Sequence, residues 1–230
     1  LIVLDNAEQA AYHLNDLEQL LSSKEVLYFP ASYREAYNPE ATDNANVLLR
    51  SEVLKKLSNS KKKKIIVTYP QALFEKVISH HTLKRKTLTV KTGDVIGLDF
   101  VNETLFEYGF DRVNFVTQPG EFSVRGGIID VFSFAHQHPY RVEFFDEEIE
   151  SLRSFDVNTQ LSISPLDQID LLPNTSKVNF SEKRKSLIDS LPKENTVVFN
   201  QFDLCLDRIE KLGAKAAKQF ESLETTVQYP

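Results

Sequence analysis

Apolar residues change their spacing twice along the chain. Up to about residue 86, short apolar runs alternate with stretches of helical period. Residues 1–4 are wholly apolar, and Asn6 and Gln9 then stand at capping-box spacing. Ala10, Leu14, Leu17 and Leu21 recur on one side of a helix. Residues 26–29 and 65–69 read as two further buried strands. Between them Asp43 can cap a helix whose core side is Ala45, Leu49, Val53 and Leu57. Pro70 falls at the first position of the next helix, where its missing N–H leaves no bond unmade. Apolar strands separated by helices predict a parallel sheet covered by helices.

From about Thr87 a period of two takes over. Residues 87–90 alternate, Gly93 marks a turn, and 98–108 form a helix closed by Gly109 in the left-handed position. Strands are expected over 112–116, 121–134, 140–145 and 149–155, close enough together for an antiparallel meander. Pro119-Gly120 suits the centre of a type II turn, because glycine supplies the positive φ. Asp146-Glu147-Glu148 is a solvated hairpin tip. After about Pro173 helical spacing returns. A short helix is expected over 180–191, a strand over 196–199, and a helix over 203–220 with Cys205, Ile209, Leu212, Ala216 and Phe220 inward. The expected fold is α/β: a parallel layer made of two segments, 1–86 and 173–230, with a small β-rich domain inserted at 87–172.

Composition narrows the chemistry. The chain has 230 residues, 41% hydrophobic and 26% charged, as in globular proteins, and it has no apolar run long enough to span a membrane. Its formal charge of −6 disfavours general affinity for nucleic acid. One cysteine excludes an internal disulfide and every multi-cysteine zinc site, and a cytoplasmic address follows. The absence of Met, with Leu1 opening inside a strand, predicts a piece of a longer protein. None of the seven glycines begins a phosphate-cradling loop, so no nucleotide cofactor is expected. His80-His81, at the end of a helix, and His136-x-His138, at a loop tip, lack partners for a metal site. Cys205 lies on an apolar stripe as a structural thiol, and no residue set has the pattern of catalysis. The run Lys61–Lys64 is either a solvated connection or a phosphate-binding patch.

One constellation remains, in the β-rich block. Along 140–145, Tyr140, Val142 and Phe144 point one way and Arg141, Glu143 and Phe145 the other. In the preceding strand Phe122, Val124, Ile128 and Phe132 are expected to share a side, with Arg125 opposite. Gly126-Gly127 then marks a bulge or a close backbone approach. Arginines and an aromatic on one accessible face have the make-up of a protein-binding hot spot. On that reading, reversing an arginine's charge leaves stability nearly untouched. The alternative covers Phe145 with the helix at 98–108 and pairs the arginines with Glu121 and Glu143.

Gly120, Phe122, Arg125, Gly126, Asp130, Phe132, Arg141, Phe144-Phe145, Glu148-Ile149 and Phe155-Asp156 follow the pattern GxFxxRGxxxDxF … RxxFFxxEIxxxxxFD. The stretch 119–162 thus resembles the UvrB-like module that bacterial UvrB shares with transcription-repair coupling factors of the Mfd type. The flanks are similar, more weakly, to the halves of that family's first domain. The ending Asp156-Val-Asn-Thr-Gln160-Leu-Ser162 follows the coupling factors rather than UvrB, whose intact ATP-binding loop and aromatic-rich DNA hairpin are not seen here. The resemblance implies a RecA-like layer of two half-domains and an inserted domain that binds UvrA in transcription-coupled excision repair. Arg125, Arg141 and Phe145 fall at the family's UvrA-contacting positions. It also implies no catalysis in this chain. ATP and Mg²⁺ would belong to a motor elsewhere in the parent protein, which would also carry the contacts with RNA polymerase and DNA. Two other readings stay open: a piece of a UvrB-type ATP-dependent damage-verification protein, and a nucleic-acid-binding α/β domain.

Overall fold

The computed structural model describes residues 1–21, 25–33, 42–59, 63–177 and 184–224. The chain divides into two compact units, Leu1–Val77 with Arg184–Pro230, and Ile78–Lys183. Val77 and Lys185 exchange backbone hydrogen bonds of 2.7 and 2.8 Å, so the chain leaves and re-enters the first unit at adjacent points.

The first unit holds a four-stranded parallel sheet. Its strands are β1 (Ile2–Val3), β2 (Val26–Tyr28), β3 (Ile65–Thr68) and Val198–Phe199, and β1 and β3 occupy the middle. The helix α1 (Ala7–Leu20) starts where Asn6 Oδ1 accepts the Gln9 N–H at 2.9 Å. The helix α2 (Asn44–Asn59) is rotated from the side its apolar spacing predicts: Val53 is buried as expected, but Val47, Arg50, Ser51 and Leu54 are buried with it, Leu49 and Leu57 are half-buried, and Ala45 is exposed. The cause is Arg50. Its guanidinium donates to the carbonyls of Pro30 (2.7 Å), Ala72 (3.3 Å) and Glu75 (3.4 Å), and pairs with the Glu75 carboxylate at 3.3 Å. It also lies 4.1 Å above the Phe29 ring. A pattern read from polarity puts such a residue in water. Pro70 opens α3 (Pro70–Phe74) as its spacing predicts.

In the returning segment the expected helix over 180–191 does not form among its described residues. Residues 180–183 lie outside them, and the rest contains one 3₁₀ turn, Ile188–Ser190. There Ser186 Oγ accepts the Ile188 N–H and Ser190 Oγ donates to the Ser186 carbonyl, hydroxyl bonds that compete with helix. The last helix, Phe202–Glu224, buries Cys205 and half-buries Ile209, Leu212 and Ala216. The Phe220 side chain lies outside the described set, as do Lys61 and Lys62 of the lysine run.

The second unit starts with α4 (His80–Lys86), capped by Ser79, so His80-His81 begin a helix rather than end one. It continues through β4 (Leu88–Lys91), α5 (Leu98–Glu107), β5 (Asp111–Arg112), β6 (Glu121–Arg125), β7 (Ile128–Val131), β8 (Tyr140–Phe145), β9 (Glu148–Phe155), β10 (Ser162–Leu166) and β11 (Gln168–Leu171). The strands β5 to β10 form one six-stranded sheet in sequence order, antiparallel except that β5 runs parallel to β6, while β4 pairs with β11. Gly109 (φ +75°) and Gly120 (φ +86°) hold the left-handed positions expected of them.

Two strand expectations change. The strand over 112–116 shrinks to Asp111–Arg112, and 121–134 folds into the hairpin β6–β7. Gly126-Gly127 is the two-residue turn of that hairpin, with positive φ at Gly126 alone, the pattern of a type II′ turn. Gly127 also meets a close backbone approach: an added Cβ would sit 2.9 Å from the Phe144 carbonyl oxygen. Because that neighbour is backbone, Gly127→Ala is expected to destabilise this unit by about 2 kcal/mol, read from its urea midpoint.

One face of the six-stranded sheet forms the main core, through Phe122, Ile129, Val131, Val142 and Leu152. Helix α5 covers it with Val101 and Leu105 inward, and Phe106 packs edge-on against Phe122, ring centres 5.1 Å apart. No helix among the described residues is long and apolar enough to cross a membrane.

Candidate protein-interaction face

The opposite face of the sheet is set by register. Residues directly opposite one another on antiparallel strands share a face. One row across β6 to β9 therefore reads Ser123, Asp130, Arg141, Arg153, and the next reads Arg125, Ile128, Glu143, Ser151. Ile128 thus belongs with Arg125 rather than with Phe122, because the two-glycine turn restarts the alternation. Phe145 follows two residues after Glu143 on β8, beside the hairpin tip at Asp146-Glu147. The structure brings Arg125, Arg141 and Phe145 onto one face.

The ring of Phe145 is 73% exposed, so α5 does not cover it. Its placement at the strand end leaves it beside a two-residue turn, with no element above it among the described residues.

The arginines converge on Asp130, whose side chain is 1% exposed. Arg141 binds it through two N–H groups, Nε to Oδ1 at 2.6 Å and Nη2 to Oδ2 at 2.8 Å, and Arg125 Nη2 adds a third bond to Oδ2. The hydrogen bonds to Asp130 raise the Arg141 guanidinium above its usual value. Each guanidinium also lies over a ring: Arg141 is 4.8 Å from the centre of Phe155, and Arg125 is 5.2 Å from that of Phe115. Phe155 is buried with Val116 and Phe132 in a small cluster at this end of the face, which is where Phe132 packs instead of in the main core.

The alternative pairing of these two arginines, with Glu121 and Glu143, is not what forms. Glu121 accepts from the Thr117 backbone and hydroxyl and from the Gln118 backbone and amide, at 2.8 to 3.1 Å, and so fixes the loop after β5. Glu143 accepts from the Ser151 hydroxyl, which most of all lowers its carboxyl pKa, and pairs with Arg153, which lowers it further. One buried carboxylate serving two arginines leaves both guanidiniums fixed in place, with an exposed ring farther along β8. That surface suits a polar, partly acidic protein partner.

Asp130 stands inside the quoted pattern, but sequence reading gave it no role. Reading Gly126-Gly127 as a two-residue turn places Asp130 and Arg125 on the same side of adjacent strands, which was the available signal. Phe115, 61% exposed, was also missed.

Outside this face the chemistry is sparse. His136 Nδ1 accepts the His138 N–H at 3.1 Å in an exposed loop. No cluster of three or more His, Cys, Asp or Glu among the described residues is placed to hold a metal ion. Cys205 is buried, and burial pushes its thiol pKa up.

Comparison with known proteins locates this face within a family. Residues 88–176 match the family described as the UvrB interaction domain. The chain is similar to the transcription-repair-coupling factor of Bacillus subtilis, 29% identical over 191 residues, which is 83% of this chain and 16% of that protein. The factor of Haemophilus influenzae is 31% identical over 75% of this chain and 15% of its own length. That of Escherichia coli is 34% identical over 109 residues. The matched part of this chain thus spans about a sixth of the length of the first two of these relatives. Residues 88–176 are a UvrB interaction domain, in a chain homologous over most of its length to the N-terminal region of the transcription-repair-coupling factors.

Proposed function

We propose that this chain recruits UvrA in transcription-coupled excision repair, in the bacterial cytoplasm, through Arg125, Arg141 and Phe145. In this reading residues 87–172 are the partner-binding domain, inserted between two halves, 1–86 and 173–230, of a RecA-like layer. The layer is a scaffold and performs no catalysis. ATP and Mg²⁺, RNA polymerase and DNA are handled by the rest of the parent protein.

The observation that carries the reading is the pair of arginines locked on Asp130 beside an exposed Phe145. A surface phenylalanine costs solubility, and ordering two guanidiniums costs entropy. The Phe145 ring belongs to neither the main core nor the Phe155 cluster. Pre-ordered arginines and a bare aromatic supply what a tight interface needs, anchors whose conformations are already fixed.

The test is binding of UvrA to the full chain and its variants. Phe145→Ala is expected to weaken capture about thirtyfold, the effect of losing one anchor worth about 2 kcal/mol. Its melting temperature should move little, since exposed positions stay within about 0.5 kcal/mol. Arg125→Glu should weaken capture at least as much, because the acidic group it meets is then repelled. UvrA binding unchanged in both variants would end the proposal.

A further inference from the structure

We propose that the binding face extends into a groove beside β6 that takes an acidic side chain of the protein partner together with an apolar neighbour. The inference rests on the reading that this unit binds UvrA, and it adds a second contact site to it. The strand β5 accompanies β6 only through Asp111–Arg112. Val113 N–H then donates to the Phe122 carbonyl at 2.8 Å, and the chain bends at Asn114 and Phe115. An opening of about 520 Å³ results, lined by Arg112, Val113, Asn114, Phe115, Val124 and Arg125.

Three features make it a site rather than a crevice. One wall is held in place: Val113 packs against the Phe155 cluster, and the Glu121 carboxylate ties down Thr117 and Gln118 just beyond the groove. Two arginines line it. Arg112 is exposed and forms no ion pair among the described residues, and Arg125 commits only Nη2 to Asp130, leaving other N–H donors for a ligand. Its floor offers an aromatic ring, Phe115, beneath the Arg125 guanidinium. The acids nearby are already engaged: Asp111 by Lys177 at 2.6 Å, Asp130 by the arginines, and Glu121 by its loop. Arg112 pairs across the strands with Phe122 and lines the groove from the core side of the sheet edge, whereas Arg125 lines it from the other side. A carboxylate entering there meets a guanidinium on either wall, while the next side chain rests on Phe115 and Val124. Phosphates would also fit two arginines, but the chain's charge of −6 and the Asp146-Glu147-Glu148 tip on the same unit oppose a nucleic-acid backbone.

The experiment measures UvrA affinity of the full chain, Arg112→Glu, Phe115→Leu and, as a control outside the groove, Phe145→Ala, at low and physiological salt. Each groove variant is expected to bind about tenfold more weakly with an unchanged melting temperature, and Arg112→Glu should flatten the salt dependence. If Phe145→Ala loses affinity while Arg112→Glu and Phe115→Leu bind like the parent, this inference alone is overturned. A parent chain that fails to capture UvrA overturns the reading beneath it and this one with it. Arg112→Glu that weakens binding of a short DNA duplex but not of UvrA also overturns it, in favour of a phosphate site.

Discussion

Asp130→Ala is expected to cost the β-rich unit about 3 to 5 kcal/mol and to weaken UvrA capture on the order of a hundredfold. The stability loss follows from burial. The carboxylate is 1% exposed and accepts three charge-assisted bonds, and its removal leaves Arg141, itself only 17% exposed, without its counter-ion. The binding loss follows from geometry. A carboxylate at that depth cannot reach a partner, yet without it both guanidiniums lose their fixed orientation. The variants should rank in stability loss as Asp130→Ala, then Arg141→Gln, then Arg125→Gln, because Arg141 makes two of the three bonds and Arg125 is 42% exposed. Urea unfolding gives the ranking, and titration with UvrA at a temperature where each variant is folded gives the affinity. A melting curve unchanged in Asp130→Ala would mean that the pairing contributes nothing. The same geometry corrects the expectation that arginine reversals leave stability untouched. That holds best for Arg125, whereas Arg141→Glu sets a second carboxylate against Asp130.

Arg50→Ala is expected to destabilise the parallel α/β unit by about 3 to 5 kcal/mol. Arg50 is 5% exposed, and burial lowers its guanidinium pKa while Glu75 raises it. Truncation leaves the carbonyls of Pro30 and Ala72 without this donor and Glu75 without its cation, although Glu75 keeps its bonds from the Ser32 backbone and hydroxyl. Arg50→Met, which keeps most of the volume, should recover little, whereas adding Glu75→Gln to it should recover part by removing the orphaned charge. The chain has no Trp, so fluorescence of its tyrosines, among them Tyr28 and Tyr69 with ring centres 6.4 Å apart in this unit, follows the transition. UvrA affinity should stay the same, because Arg50 lies in the other unit. Equal stability of Arg50→Ala and parent would refute the assignment of Arg50 as a structural cation.

Local chemistry was legible in the residues themselves. The change from helical to alternating spacing separates the parallel sheet from the largely antiparallel one. Asn6, Pro70, Gly109 and Gly120 mark a cap, a helix start and two left-handed positions, because each of these depends on one residue's own backbone or side chain. Period two along one strand was enough to put Arg141 and Phe145 on the same side. Tertiary structure decided the rest, since it concerns pairs that no single segment contains. Whether Arg50 turns inward depends on carbonyls from two other stretches of chain. Whether Arg125 and Arg141 meet Asp130 or Glu143 depends on register, which the Gly126-Gly127 turn sets and which one residue of slip would reverse. Phe145 is bare for the same kind of reason: a side chain's face follows from its strand, but what lies over that face follows from where the other elements pack.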